Sequence, residues 1–103
     1  MSRSDTNSVY IVFYDISSNK LRRRVEKKLC DYGVRIQYSV FSVFVSNISY
    51  RQLTLELSTI LSKNQSLCES TDSLFAIRLN KSEKIDVITG EELPLDSRYL
   101  LIG

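Results

Sequence analysis

The sequence predicts an α+β fold in which two helices cover one face of an antiparallel sheet. Segments with strand-like composition are interleaved with two segments that carry apolar residues at helical spacing, and 103 residues suffice for one domain. This order of strands and helices is that of a ferredoxin-like domain. Because the first strand is apolar on both faces, we expect a second copy of the chain to cover the face without helices, which gives a homodimer packed sheet to sheet.

The first predicted strand covers residues 9–16, where β-branched and aromatic side chains fill both faces. The polar residues 17–19 supply N-cap candidates for a helix over residues 20–32, whose apolar residues recur at spacings of four, four and three. Gly33 follows this helix and is predicted to be its C-cap. Residues 1–8 are predicted to form a disordered polar tail ahead of a domain over residues 9–80.

Residues 35–46 are predicted to be strand, and their alternation changes phase near Phe41 and Ser42. The segment is therefore one long bent strand or two short strands joined by a turn or bulge at that point, and periodicity does not choose between them. A second helix is predicted over residues 49–62, where Ser49 and Gln52 fit a capping box.

The last predicted elements are a strand over residues 74–79 and short strands over 85–88 and 99–102. Polar, loop-like sequence at residues 63–72 precedes the first of them, and a turn separates the last two.

Composition excludes several classes of site. The chain has no histidine, which removes serine and cysteine triads, zinc hydrolases and histidine-based ribonuclease chemistry. Its two cysteines cannot form a four-ligand zinc site within one chain, and we expect both thiols to be reduced. No apolar run approaches the roughly 18 residues of a membrane span, and the polar start is unlike a signal peptide. A cytoplasmic protein that does not contact a membrane is therefore predicted.

Charge is concentrated in residues 20–35, where seven basic residues stand against two acidic ones although the whole chain carries only +2. A basic face on a nearly neutral protein is typical of a polyanion partner, and the alternative is a solvated helix face. Asp15 lies just before this segment, at the end of the first strand. Its carboxylate could hold a divalent metal against a phosphate, or it could cap the turn at residues 17–19.

Three motifs in the first half of the chain together resemble the CRISPR-associated protein 2 family. They are Tyr-Asp-Ile at 14–16, Leu-Arg-Arg-Arg-Val at 21–25, and Tyr-Gly-Val-Arg-Ile-Gln-Tyr-Ser-Val-Phe at 32–41. The resemblance covers residues 9–46 and implies a ferredoxin-like protomer in a symmetric homodimer. It also implies that strands of the C-terminal extension, residues 81–103, pack on the partner subunit, and that the CRISPR integrase subunit and duplex DNA are partners. Some members are described as Mg²⁺-dependent endonucleases acting on single-stranded RNA or duplex DNA.

The same resemblance implies the site residues. The acidic position of the family falls on Asp15, which would be the catalytic and metal-binding residue for Mg²⁺. The nucleic-acid-binding positions fall on Arg22, Arg24, Arg35 and Phe41. For Phe41, stacking on a base and packing in the core or dimer interface are both open. The acid that often follows Ser-Val-Phe in the family is replaced here by Ser42, which leaves Asp15 more isolated.

Two functions from different classes follow from these residues. The first is a DNA-binding scaffold of spacer acquisition, and the second is a metal-dependent endonuclease, for instance an endoribonuclease acting on single-stranded RNA. A toxin-type ribonuclease of the VapD kind is a third candidate, because its fold and its strand-end aspartate are similar.

Overall fold

The structure, a computed structural model, describes residues 6–80. They form a four-stranded antiparallel sheet in the order β2-β3-β1-β4, with two helices on one face. The elements in chain order are β1 Asn7–Asp15, α1 Asn19–Cys30, β2 Gly33–Gln37, β3 Val40–Ser46, α2 Asn47–Lys63, a short 3₁₀ turn Gln65–Leu67, and β4 Ser73–Leu79. The predicted α+β fold is confirmed. The short strands predicted at 85–88 and 99–102, and the extension over 81–103, lie outside the described residues.

Strand β1 lies between β3 and β4, and both of its faces are apolar as predicted. Tyr10, Val12 and Tyr14 face the helices and belong to the larger core cluster. The intervening residues face the other side of the sheet, where Val9 and Ile11 form a smaller cluster. The central strand therefore separates two apolar layers, of which the helices cover one.

Helix α1 packs on the sheet through its predicted apolar stripe. Leu21, Val25 and Leu29 are fully buried, and the N-cap is Ser18, whose hydroxyl oxygen accepts a hydrogen bond from the Leu21 amide. Helix α2 packs beside it, and the ring of Tyr50 stacks on that of Tyr10 with 3.8 Å between centroids. These contacts hold α1 on the sheet with its opposite side in solvent.

The prediction that Gly33 caps α1 is wrong. The helix ends at Cys30 with Asp31 as the C-cap, and Gly33 is the first residue of β2. A Cβ atom at Gly33 would lie 2.1 Å from the backbone oxygen of Ser42 on the neighbouring strand. The glycine is needed because the two strands approach each other closely at this position.

Residues 33–46 form two strands, and the turn between them is at Tyr38–Ser39 instead of the predicted Phe41–Ser42. Ser39 is the third residue of this turn and has a φ of 70°, in the left-handed region that type II turns require at that position. The register also shifts between Arg35 and Gln37. Phe41 and Ser42 lie within β3 and pair with β1, so a turn there would interrupt the core.

Two boundaries also differ from the prediction. Helix α2 begins at Asn47, and its N-cap is Ser46, which accepts a hydrogen bond from the Ser49 amide, so the predicted capping box at Ser49 is not formed. Strand β1 begins at Asn7, so the last two residues of the predicted polar tail are strand. No helix among residues 6–80 is long and apolar enough to cross a membrane.

The sheet face opposite the helices exposes large apolar side chains. Phe75 and Ile77 of β4 are 55% and 48% exposed. Phe75 stacks on Phe13, with 5.1 Å between ring centroids. We call this surface the open face, defined by Phe13, Phe75 and Ile77.

Candidate nucleic-acid interface

The solvent side of α1 carries four cations on one face. Lys20, Arg23, Arg24 and Lys27 are exposed and, with 3.6 residues per turn, fall within an arc of about 100°. None of the four forms an ion pair within residues 6–80. Arg24 donates a hydrogen bond to the side-chain oxygen of Asn64, a neutral group that does not offset its charge. We call these four residues the outer stripe.

A second group of charges lies between α1, β1 and β2 and is centred on Glu26. Arg35 Nη2 lies 3.0 Å from Glu26 Oε1, and Arg22 Nε lies 3.9 Å from Oε2. The hydroxyl of Tyr14 donates a 2.7 Å hydrogen bond to Oε2. We call Tyr14, Arg22, Glu26 and Arg35 the Glu26 cluster. The carboxylate of Glu26 thus forms ion pairs with two guanidinium groups and accepts a hydrogen bond from a phenol.

Arg22 is engaged at all three of its side-chain nitrogens. Besides Nε, its Nη1 donates to the backbone oxygen of Ile16 at 3.3 Å and its Nη2 to the Asn19 side chain at 2.6 Å. The bond to Ile16 ties the helix to the turn that follows β1. The guanidinium of Arg22 therefore has internal partners, whereas that of Arg24, two residues later, faces solvent and a neutral amide.

Two tyrosines are held as donors to glutamates. Burial, and then the bond to Glu26, raise the pKa of Tyr14 far above its usual value. Burial and the 2.8 Å bond to Glu56 raise the pKa of Tyr32 to about 12. Glu56 also lies 3.5 Å from Lys28 Nζ. Both phenols therefore remain protonated near neutral pH and fix the carboxylates beside them.

Asp15 lies at the exposed end of β1, opposite Ser73, and on the same side of the sheet as Phe13. Within residues 6–80 its carboxylate makes no hydrogen bond or ion pair. The alternative that Asp15 caps the turn at 17–19 is therefore not observed. No partner within the described residues occupies its oxygens.

The turn is instead capped by Asp72, a residue that the sequence did not single out. Asp72 Oδ1 accepts hydrogen bonds from the amide and hydroxyl of Ser17, both at 3.1 Å, and Oδ2 accepts one from the Glu69 amide at 3.0 Å. The bonds from the Glu69 and Ser17 amides lower the pKa of this carboxyl. The available sequence signal was an aspartate at the end of a polar loop, which is typical of local backbone capping.

The fit of Mg²⁺ to these residues is partial. Among residues 6–80 no group of three or more carboxylates or thiols could hold a metal ion. Mg²⁺ is commonly bound by one or two carboxylates and keeps several waters. Asp15 has no partner within residues 6–80 and offers one carboxylate, which fits as one ligand of a site that water or other ligands complete.

Phe41 is fully buried in the core beneath two members of the Glu26 cluster. Its ring centroid is 6.2 Å from that of Tyr14 and 5.6 Å from the guanidinium carbon of Arg35. A buried ring has no free face for a base, so the structure supports core packing for Phe41 over base stacking. Of the predicted contact residues, the structure brings Arg22 and Arg35 together at Glu26, places Phe41 beneath them, and leaves Arg24 apart on the outer stripe.

Comparison with known proteins identifies the family. Residues 8–87 match the family described as CRISPR associated protein Cas2. The chain is 33% identical over 95 residues to "CRISPR-associated endoribonuclease Cas2 1" of Chloroflexus aurantiacus, covering 90% of this chain and 97% of that protein. It is 40% identical over 52 residues to "CRISPR-associated endoribonuclease Cas2 4" of Rhodospirillum rubrum, covering 50% of this chain and 42% of that protein's length.

A solved structure described as cas2 shares the fold. It matches with a TM-score of 0.65 and 23% sequence identity, over 87% of this chain and 95% of that chain. At this identity the likeness supports the arrangement of strands and helices, while the family match and the relative from Chloroflexus aurantiacus establish the relationship. The chain therefore belongs to the CRISPR-associated protein Cas2 family.

Proposed function

We propose that this chain is a nucleic-acid-binding subunit of CRISPR spacer acquisition, which acts in the cytoplasm as a homodimer and holds duplex DNA together with the integrase subunit. The observation that carries the proposal is the outer stripe, where Lys20, Arg23, Arg24 and Lys27 have no acidic partner within residues 6–80. Cations without internal counter-ions on one face of a helix can pair with successive phosphates.

Binding of this kind is independent of sequence and sensitive to salt. Each phosphate that a cation neutralises releases condensed counter-ions, so the logarithm of the binding constant falls with the logarithm of salt concentration by about 0.9 per contact on duplex DNA. Single strands give a slope of about 0.7 per contact. A salt titration with a probe of known strandedness therefore counts the phosphate contacts.

The test is fluorescence anisotropy with a labelled duplex of arbitrary sequence, titrated from low to physiological salt. The variant Arg23→Gln/Lys27→Gln should lose about two contacts, so its salt slope should fall by about 1.8. Arg51→Gln/Arg78→Gln removes the same charge from exposed positions outside the stripe and should change the slope by less than half as much. Equal changes in the two double variants would contradict an interface on the outer stripe.

Dimerisation is proposed to bury the open face, because Phe75 and Ile77 are exposed beside Phe13 there. Two chains that meet on this face would also bring the two Asp15 residues to the same interface, since Asp15 lies on that side of the sheet. Phe75→Glu should shift the chain toward monomer in sedimentation velocity, and deletion of residues 98–103 should do the same. A dimer unchanged by Phe75→Glu would refute this interface.

The second candidate function is an Mg²⁺-dependent endonuclease. The observation that favours it is the carboxylate of Asp15, which has no partner within residues 6–80. The relatives' names describe endoribonucleases, which extends the candidate substrates to single-stranded RNA. When bound, Mg²⁺ would activate water and neutralise charge that develops on the phosphate. Asp15 would hold the ion.

Cleavage of labelled RNA and duplex DNA, with Mg²⁺ or with EDTA, tests this candidate. Asp15→Ala should abolish cleavage and leave binding intact, whereas Asp31→Ala, which removes an exposed acid paired with Lys28, should retain cleavage. Activity that persists in Asp15→Ala, or that persists in EDTA, would contradict the nuclease proposal. The scaffold proposal does not depend on this result, because binding requires no carboxylate at position 15.

A further inference from the structure

We propose that the Glu26 cluster is an anion-binding site that the chain fills with its own carboxylate. Two guanidinium groups and a phenol converge on Glu26, and the same donors would suit a phosphate group. The ion pair with Glu26 therefore keeps Arg35 from binding a phosphate of the nucleic acid. It limits the affinity for nucleic acid to what the outer stripe provides. This inference extends the proposed function, because it assigns Glu26 the role of setting how tightly phosphate is bound.

The geometry shows why Arg35 is the residue that Glu26 controls. Its side chain is 44% exposed and its one acidic partner within residues 6–80 is Glu26, at 3.0 Å. Arg22 differs because its other nitrogens bind Ile16 and Asn19, so removing Glu26 would leave it anchored to the turn. Release of the carboxylate charge thus makes one guanidinium, that of Arg35, available at the surface.

Glu26 is held in place from inside the protein. Its side chain is 16% exposed, and the hydroxyl of Tyr14 fixes Oε2 at 2.7 Å. Burial and the Glu26 bond keep the Tyr14 phenol protonated, since its pKa is raised. The carboxylate is consequently a fixed counter-ion whose place a phosphate could take only by displacing it from Arg35.

Competition between Glu26 and phosphate for Arg35 predicts that the Glu26→Gln variant binds duplex more tightly. Glutamine has nearly the same shape and can still accept the Tyr14 hydrogen bond, but it no longer neutralises Arg35. Duplex affinity near 0.1 M salt should rise about three- to tenfold, and the salt slope should increase by about 0.9, which is one further phosphate contact. Arg35→Gln should change affinity less than twofold in the otherwise unchanged protein and should remove most of the gain in the Glu26→Gln background.

Glu69→Gln is the matched control, because it makes the same charge change at an exposed acid without an arginine partner within residues 6–80. If Glu26→Gln and Glu69→Gln raise affinity equally, general electrostatics accounts for the gain and the proposal is overturned. Additive effects of Glu26→Gln and Arg35→Gln would overturn it as well, since the inference requires coupling between the two positions.

A second readout separates this inference from the proposed function. Thermal unfolding is measured in inorganic phosphate and in chloride at equal ionic strength for Glu26→Gln, Glu69→Gln and the unchanged protein. The unfolding temperature of Glu26→Gln should rise more in phosphate, relative to chloride, than that of the other two proteins. A ligand that binds the native state stabilises it. If no protein binds duplex but this gain is seen, the proposed function fails and the anion site stands. An equal gain in all three proteins overturns the anion site.

Discussion

The two sides of helix α1 differ in what their charges contact. On the side toward β1 and β2, Arg22 is bound to Glu26, Ile16 and Asn19. The apolar residues of the helix that face the sheet are buried. On the solvent side, the outer stripe has no acidic partner within residues 6–80. One basic segment therefore contains cations that stabilise the fold and cations that are free to bind a polyanion.

The spacing of the arginines in the sequence does not predict which of them have partners inside the fold. Arg22 and Arg24 stand two residues apart in one motif, yet about 200° apart around the helix axis. Arg22 is consequently directed to the turn after β1, and Arg24 to Asn64 and solvent. The position of a cation around the helix decides whether it serves stability or binding.

The largest expected effect is on the buried side of α1. Leu29→Ala leaves a cavity at a fully buried position and should lower the free energy of unfolding by about 3 kcal/mol. Lys27→Ala, on the outer stripe of the same helix, should change it by less than about 0.5 kcal/mol. Urea denaturation followed by circular dichroism measures both. Equal losses would mean that the two sides do not differ in their contribution to stability.

A smaller effect is expected within the Glu26 cluster. Tyr14→Phe removes the 2.7 Å hydrogen bond to Glu26 and should lower the free energy of unfolding by about 1 kcal/mol. Tyr38→Phe serves as the control, because Tyr38 is 71% exposed on the β2–β3 turn. Urea denaturation of the two variants should separate them, and a Tyr14→Phe protein as stable as Tyr38→Phe would show that the cluster does not stabilise the fold.

The smallest effect is a loss of stability at alkaline pH. The pKa of Tyr32 is about 12 in the folded chain against 10.0 for an unperturbed tyrosine, so the unfolded chain releases this proton first. The stabilisation that comes from the protonated phenol is present below pH 10 and is lost as pH rises toward 12. Tyr32→Phe should therefore show a shallower decline between pH 10 and 12 in urea denaturation. An identical decline in both proteins would contradict the raised pKa of Tyr32 in the folded chain.

The fold could be predicted from the sequence because periodicity and composition are direct consequences of burial. The apolar stripe of α1 and the two-sided apolar strand β1 both occur as expected. The predicted position of the hairpin turn was wrong because the alternation of apolar and polar residues changes phase at Phe41 and Ser42. The turn is instead made by Tyr38 and Ser39. Gly33 was misassigned because a helix cap and a close approach between strands both select glycine.

The site was less predictable because its contacts join residues far apart in sequence. Glu26 looks like one acid in a solvated basic run, and only the fold brings Tyr14 and Arg35 to it. Asp72 was missed for the same reason, since its partner Ser17 is 55 positions away. The family resemblance named Arg22, Arg24 and Arg35 together, and the structure separates the first and last from the second.

The most direct test of the outer stripe observes individual arginine side chains during binding. The Nε–Hε signals of Arg22, Arg23 and Arg24 are assigned by single substitutions and followed by nuclear magnetic resonance as a duplex of arbitrary sequence is added at low salt. The signals of Arg23 and Arg24 should shift with increasing duplex, while that of Arg22 stays in place because its guanidinium is bound to Glu26, Ile16 and Asn19. A shift of Arg22 with no change at Arg23 and Arg24 would contradict the division of α1 into a structural side and a binding side.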